Sequence, residues 1–218
     1  MKKMARCSNQ REEVILSYYD YLIRQRDVDL LQGPRWLNDT ILGFYFEYLN
    51  RTSSSKDIFF ISPELTQLLK MTGPEDYSAF LDPLDISQCK ILCFALNDCS
   101  SKDSVGGSHW SLLVFSRREE KCFHFDSSKG MNQRIARLFS KKIIRYSLDK
   151  EADNYVESDC PQQDNGYDCG LFVLCFADLI SKSHSVNHLD YTEFKDSVKT
   201  KRSKLFDLIN SLRHKELG

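Results

Sequence analysis

Hydrophobic positions fall into short stretches of differing period, separated by polar turns. Val14, Leu16, Tyr18, Tyr19, Leu22 and Ile23 approximate a helical stripe. Gly33 and Pro34 break the chain. From Trp36 to Leu49 the residues then read as a helix apolar on most sides, which must be buried. Residues 58–61 (IFFI) read as a short strand. Ser62 and Pro63 are an N-cap and a first-turn proline, opening a helix to about Lys70, and residues 72–74 (TGP) open another that reaches Leu81. Residues 90–96 (KILCFAL), 110–115 (WSLLVF) and 122–126 (CFHFD) are short, apolar and rich in strand formers. The first two are apolar on both faces, which predicts central strands covered on each side. Residues 117–120 (RREE) read as the hairpin turn between the second and third. A helix follows at 132–142, an edge strand at 154–157, a buried helix at 171–180 and a charged amphipathic helix from Tyr191 to about Lys215. Helices flanking a small sheet without regular βαβ alternation make this an α+β pattern.

Length and composition narrow the function classes. No repeat or linker divides the 218 residues, so the chain reads as a disordered tail (1–12) and one domain (13–218). Thirty Lys and Arg against 31 Asp and Glu lack the basic excess of a nucleic-acid binder, so no nucleic-acid partner is expected. No apolar run approaches the roughly 18–20 residues that span a bilayer, and no membrane association is expected. The N-terminus (MKKMARCSNQREE) has a basic start but no apolar region of a secretory signal. The eight cysteines are therefore expected to be reduced, in cytosol or nucleus. The basic run at 199–204 lies on a predicted helix and says little about nuclear import. No CxxC pair occurs. The only metal-like spacing, His184-x-x-x-His188, has no Cys or Glu nearby. No metal, organic cofactor or obligate oligomer is expected, and the chain is read as a monomer.

Two glycine-bearing polar loops, 97–108 (NDCSSKDSVGGS) and 158–170 (SDCPQQDNGYDCG), each precede an apolar element. Polar loops on a rigid scaffold are where sites concentrate. Cys169 sits where a loop meets a helix, with Asp168 as candidate N-cap. First-turn amides and the helix dipole favour an anion such as a thiolate there. Gly166 and Gly170 would keep the surrounding backbone open to a substrate. On composition alone Cys169 reads as a structural cysteine, and the polar loop before it shifts that balance. His109 starts a strand beside Gly106 and Gly107, while Asp126 ends the next strand. Antiparallel pairing would bring the two to one sheet edge, where the carboxylate could fix the imidazole tautomer. Asp126 also suits a turn. Gln163, six positions before Cys169, could donate to an oxyanion with the Cys169 N–H, although the adjacent Gln162 is not distinguished from it. The set supplies nucleophile, base, orienter and oxyanion donor for acyl transfer.

Four segments carry a family resemblance. Residues 161–170 (PQQDNGYDCG), 107–113 (GSHWSLL), 125–127 (FDS) and 36–39 (WLND) resemble, in that order of roles, the nucleophile, histidine, aspartate and substrate-binding motifs of the Ulp/sentrin-specific cysteine proteases. Residues 26–31 (RDVDLL) and 60–67 (FISPELTQ) look most like its small deneddylase branch. The resemblance implies a papain-like α+β fold with permuted chain order, and cleavage after the C-terminal Gly-Gly of a ubiquitin-like modifier, that of neddylation. Both precursor processing and isopeptide hydrolysis are implied. It makes Cys169 the nucleophile, His109 the base, Asp126 its orienter and Gln163 the oxyanion donor. It matches Trp36 and Trp110, the only two tryptophans, to a pair that covers the diglycine, and Asn38 and Asp39 to positions near the modifier's tail. A slot closed by indoles admits glycines and excludes bulkier residues. Read without the resemblance, both tryptophans are ordinary core. The alternatives are the same chemistry on the sumoylation modifier or ubiquitin, acetyl transfer from the same site, and a non-catalytic modifier-binding module.

Overall fold

The computed structural model describes residues 12–53, 55–100, 106–183 and 185–216. Residues 1–11 of the expected tail, His184 and residues 101–105 lie outside the described residues.

Residues 14–23 are not helical. They form an antiparallel hairpin of β1 (Val14–Tyr18) and β2 (Tyr21–Arg24). The cross-strand pair Leu16 and Ile23 is buried and the next pair, Ser17 and Leu22, is exposed, as a period of two requires, while a register shift between Val14 and Leu16 leaves Val14 exposed. Tyr19, at φ 49°, makes the left-handed turn between them. A short helix α1 (Gln25–Asp29) follows. The buried helix α2 spans Asp39–Thr52, starting later than the apolar run suggests because Asn38 caps it, its Oδ1 accepting from the Ile41 N–H at 3.1 Å. Trp36 and Leu37 are thereby left in the segment before the helix.

A five-stranded mixed sheet forms the centre, ordered β3 (Ile58–Ile61), β4 (Ile91–Asn97), β5 (Trp110–Ser116), β6 (Lys121–Phe125) and β7 (Tyr155–Glu157). The inner pairs β4–β5 and β5–β6 are antiparallel, and the outer strands β3 and β7 pair parallel. Between β3 and β4 run α3 (Pro63–Met71) and α4 (Tyr77–Leu81), with Ser62 capping α3 as expected. Then come α5 (Gln133–Leu148), α6 (Cys169–Ser183) and α7 (Phe194–Glu216).

Alternation along the central strands builds two cores. Cys93, Ala95, Leu112, Val114 and Phe125 point to one face, against α2, α6 and α7. Leu92, Phe94, Leu113 and Phe115 point to the other, against α3, α4 and α5. Both faces are covered, which is why these strands read as continuous apolar runs. Among the described residues, no helix is long and apolar enough to cross a membrane.

Candidate active site

Cys169 is the first residue of α6 and is 2% exposed. Asp168 precedes it, and its carbonyl accepts from the Phe172 N–H. Its carboxylate does not cap the helix. It accepts from Arg202 Nη2 at 2.8 Å and from Asn165 Nδ2 at 2.9 Å. Gly170 is needed for packing, since a Cβ there would lie 3.0 Å from Leu37 Cβ. Its bare backbone therefore faces the scaffold, not a ligand, whereas Gly166 has open space around its Cα.

The β5–β6 register sets Leu112 opposite Phe125, so the strands' adjoining ends carry His109 and Asp126 to one edge. His109 Nε2 and Asp126 Oδ1 are 2.6 Å apart, both residues being buried. With Nε2 committed, Nδ1 is the ring nitrogen left for the Cys169 thiol, with which the imidazole interacts. Burial pushes the imidazole down, but hydrogen bonding and charge from Asp126 and Cys169 outweigh it and raise it to about 9. Burial likewise pushes the Asp126 carboxyl up, and it is overcome by bonds from His109 and from the Asn132 and Ser128 N–H groups, leaving it below the usual carboxylate range.

A cleft of about 630 Å³ opens over the thiol, lined by Trp36, Asn38, Asp39, Ser108, His109, Trp110 and Cys169 among others. The two indoles are fixed by their N–H groups, Trp36 to the Gly166 carbonyl at 2.6 Å and Trp110 to the Leu37 carbonyl at 3.1 Å. Trp36 remains half-exposed. Asn38 lines the cleft but spends its side chain on the scaffold, capping α2 and donating to the buried Asp27 at 2.7 Å.

The structure separates the two glutamines. Gln162 binds the Asp126 and Cys160 carbonyls through Nε2 and the Lys129 N–H through Oε1, so it ties the loop to the end of β6. Gln163 has Oε1 held by the Ser127 hydroxyl at 2.7 Å, and one amide N–H goes to the Asn165 carbonyl at 2.5 Å. An amide carries two such donors.

Three supporting residues escape a reading of the sequence. Asp98 accepts from the Ser108 N–H, the Ser108 hydroxyl and the His109 N–H, fixing the start of β5. Asn132, fully buried, offers its backbone N–H to Asp126 and its amide to Ser111 and to carbonyls of β4 and the His109 segment. Arg202 reaches the nucleophile loop from α7. The spacing of Asp98 before Ser108 hints at a loop-base clasp, but nothing local marks Asn132 or Arg202.

A thiol at a helix start, an imidazole beside it and a buried carboxylate behind the imidazole define a cysteine-dependent acyl hydrolase. The chain belongs to the Ulp1 protease family, whose C-terminal catalytic domain model matches residues 35–216. It is 42% identical over 170 residues to sentrin-specific protease 8 of Homo sapiens, covering 75% of this chain and 79% of that protein. It is 33% identical over 212 residues to NEDD8-specific protease 1 of Arabidopsis thaliana, covering 95% and 92%. The fold matches the solved C-terminal Ulp1 protease domain in complex with Smt3, the yeast ortholog of SUMO, at a TM-score of 0.72 and 22% identity over 97% of this chain and 93% of that one. The α+β architecture expected from the sequence is thus that of the Ulp1 proteases.

Proposed function

We propose that this chain is a deneddylating cysteine protease that cuts after the C-terminal Gly-Gly of the neddylation modifier, in its precursor and in its conjugates with lysine. The juxtaposition of His109, Asp126 and Cys169 at the mouth of a cleft walled by Trp36 and Trp110 carries the reading. Relatives named for NEDD8 and for sentrin support the choice of modifier.

The terminal glycine carbonyl lies over Cys169, with the diglycine between the indoles. The Cys169 thiol proton passes to His109 Nδ1 as Sγ attacks the carbonyl carbon, the C=O π pair moves to oxygen, and the oxyanion is held by the Cys169 N–H and the remaining Gln163 amide N–H. Protonated His109 gives its proton to the leaving lysine amine as the C–N bond breaks, leaving a thioester. Water then attacks the thioester carbonyl and gives a proton to His109; as the C=O re-forms and the C–S bond breaks, His109 returns that proton to Sγ and the glycine carboxyl ionises to the solvent. Asp126 fixes the tautomer throughout and balances the imidazolium. Use of Cys169 as a free thiol supports a reducing compartment, cytosol or nucleus, as its place of action.

Modifiers of neddylation, sumoylation and ubiquitination, each with a C-terminal electrophile in place of the last glycine, test the reading when adducts are mapped by mass spectrometry. A selective neddylation-modifier adduct at Cys169 is the expected result. Preferential labelling at Cys169 by another modifier would keep the mechanism and overturn the substrate, and a folded protein labelled by none would overturn both.

A further inference from the structure

We infer that Arg202, on the C-terminal helix, is a positioning residue for the active cleft, setting the nucleophile loop and the Trp36 wall against each other. The inference rests on the proposed role of Cys169.

Arg202 lies within the basic run at 199–204, but that run is not a free patch. Lys201 is buried, donating to Asp178 of α6 at 2.7 Å and lying 3.8 Å from the Tyr45 ring centroid. The next residue turns its guanidinium toward the active cleft. Nη1 donates to the Leu30 carbonyl at 2.7 Å, and Nη2 donates to the Arg35 carbonyl at 2.7 Å and to Asp168 Oδ1 at 2.8 Å. One planar fork thus joins three segments: the end of α1, the residue before Trp36 and the residue before Cys169. Both members of the Arg202–Asp168 pair are largely shielded, with side chains 15% and 17% exposed.

The hold extends into the loop. Asp168 Oδ2 accepts from Asn165, whose Oδ1 accepts from the Tyr167 and Asp168 N–H groups. The Asn165 carbonyl anchors Gln163, and the neighbouring Gly166 carbonyl anchors the Trp36 indole. Displacing Asp168 therefore disturbs the nucleophile, the oxyanion donor and one wall of the diglycine slot together. A lysine keeps the charge, but a single ammonium cannot reproduce a fork spread over three acceptors.

The test compares Arg202→Lys, Arg202→Gln, Asp168→Asn and the double variant Arg202→Lys with Asp168→Asn against the wild type. kcat and KM are measured on a C-terminal fluorogenic conjugate of the neddylation modifier, with thermal midpoints and the rate of Cys169 alkylation by iodoacetamide. Arg202→Lys is expected to lose about 10–100-fold in kcat, as misplacement by about an ångström does, with a thermal midpoint near that of the wild type. Its alkylation should slow at least about threefold, because the thiol no longer sits against His109. Asp168→Asn should give a similar loss, and the double variant should lose no more than the worse single one, as for residues acting as a unit. Wild-type kcat and alkylation in Arg202→Lys would overturn the inference. So would losses that track the fraction unfolded and vanish per folded molecule. Should both Arg202 variants fail to fold, Asp168→Asn decides by the same readouts. Alkylation needs no modifier, so a wild type inactive on the conjugate would refute the substrate reading while the alkylation rates still decide the role of Arg202.

Discussion

Replacing Asp126 by Asn removes one charge and almost no volume, and the geometry fixes how the amide must fail. Asp126 Oδ1 accepts from His109 Nε2 at 2.6 Å and from the Ser128 N–H at 3.0 Å, while Oδ2 accepts from the Asn132 N–H at 3.0 Å. Both oxygens face donors, so an amide nitrogen meets a donor in either orientation. Placed at Oδ2, it opposes a buried backbone N–H, an unsatisfied pair that costs about 1–3 kcal/mol. Placed at Oδ1, it forces Nε2 to accept and moves the ring proton to Nδ1, the nitrogen that must take the Cys169 proton. A wrong tautomer of this kind lowers kcat by about 10⁴, or about 5 kcal/mol of barrier. The variant should therefore fold with a modestly lowered thermal midpoint and turn over a C-terminal fluorogenic conjugate about 10⁴-fold more slowly per folded molecule. Loss of the carboxylate also removes support for the imidazolium, so the alkaline fall in kcat/KM, expected near pH 9 in the wild type, should move down. A folded Asp126→Asn protein with kcat within tenfold of wild type would refute the assignment of Asp126 as orienter.

His109 also makes stability depend on pH. Its raised folded value, about 9 against 6.5, means that its stabilisation is complete below about pH 6.5 and is lost as pH rises through about 9; thermal midpoints should decline across that window, and more steeply than in His109→Gln. Gly170→Ala sets a Cβ 3.0 Å from Leu37 Cβ and 3.4 Å from Leu42 Cδ1. Crowding of about 1–3 kcal/mol against a helix-propensity gain of about 1 predicts a lower midpoint in denaturant unfolding. Trp36→Ala removes a half-exposed ring that lines the cleft, so KM for the modifier conjugate should rise at least about tenfold while the thermal midpoint hardly moves. A Trp36 variant with unchanged KM would remove the indole from the diglycine wall.

What was legible in the sequence follows from how local each signal is. Strands β4 and β5 declare themselves because both faces of the sheet are covered, so their apolar runs are long. His109 and Asp126 could be paired on paper because a short turn fixes the register between their strands. The N-terminal hairpin does not show in the pattern because strands of five and four residues joined by a turn at Tyr19 satisfy a helical stripe as well as a two-residue period. Asp168 holds the N-cap position, yet it binds a partner 34 residues further on, and no local rule foresees that. Gln162 and Gln163 differ only in what surrounds them, which the fold supplies and the sequence cannot.

The same contrast says which parts of the site are stiff. The His109–Asp126 pair stands on adjoining strands whose ladder continues away from the cleft, so its geometry is backed by the sheet. Trp110 shares that backing as the first residue of β5, but the Trp36 wall does not. Trp36 precedes α2 and is held through one bond to Gly166, while Arg35 is held by Arg202 from the far end of the chain. Contacts that close such long loops cost chain entropy that only distant packing offsets. Segments held by few bonds at a solvent-facing rim open at the low end of the stability scale. A slot for an extended diglycine needs that division: a fixed base and acid to define the reaction, and a wall able to part for entry and close over two residues without side chains.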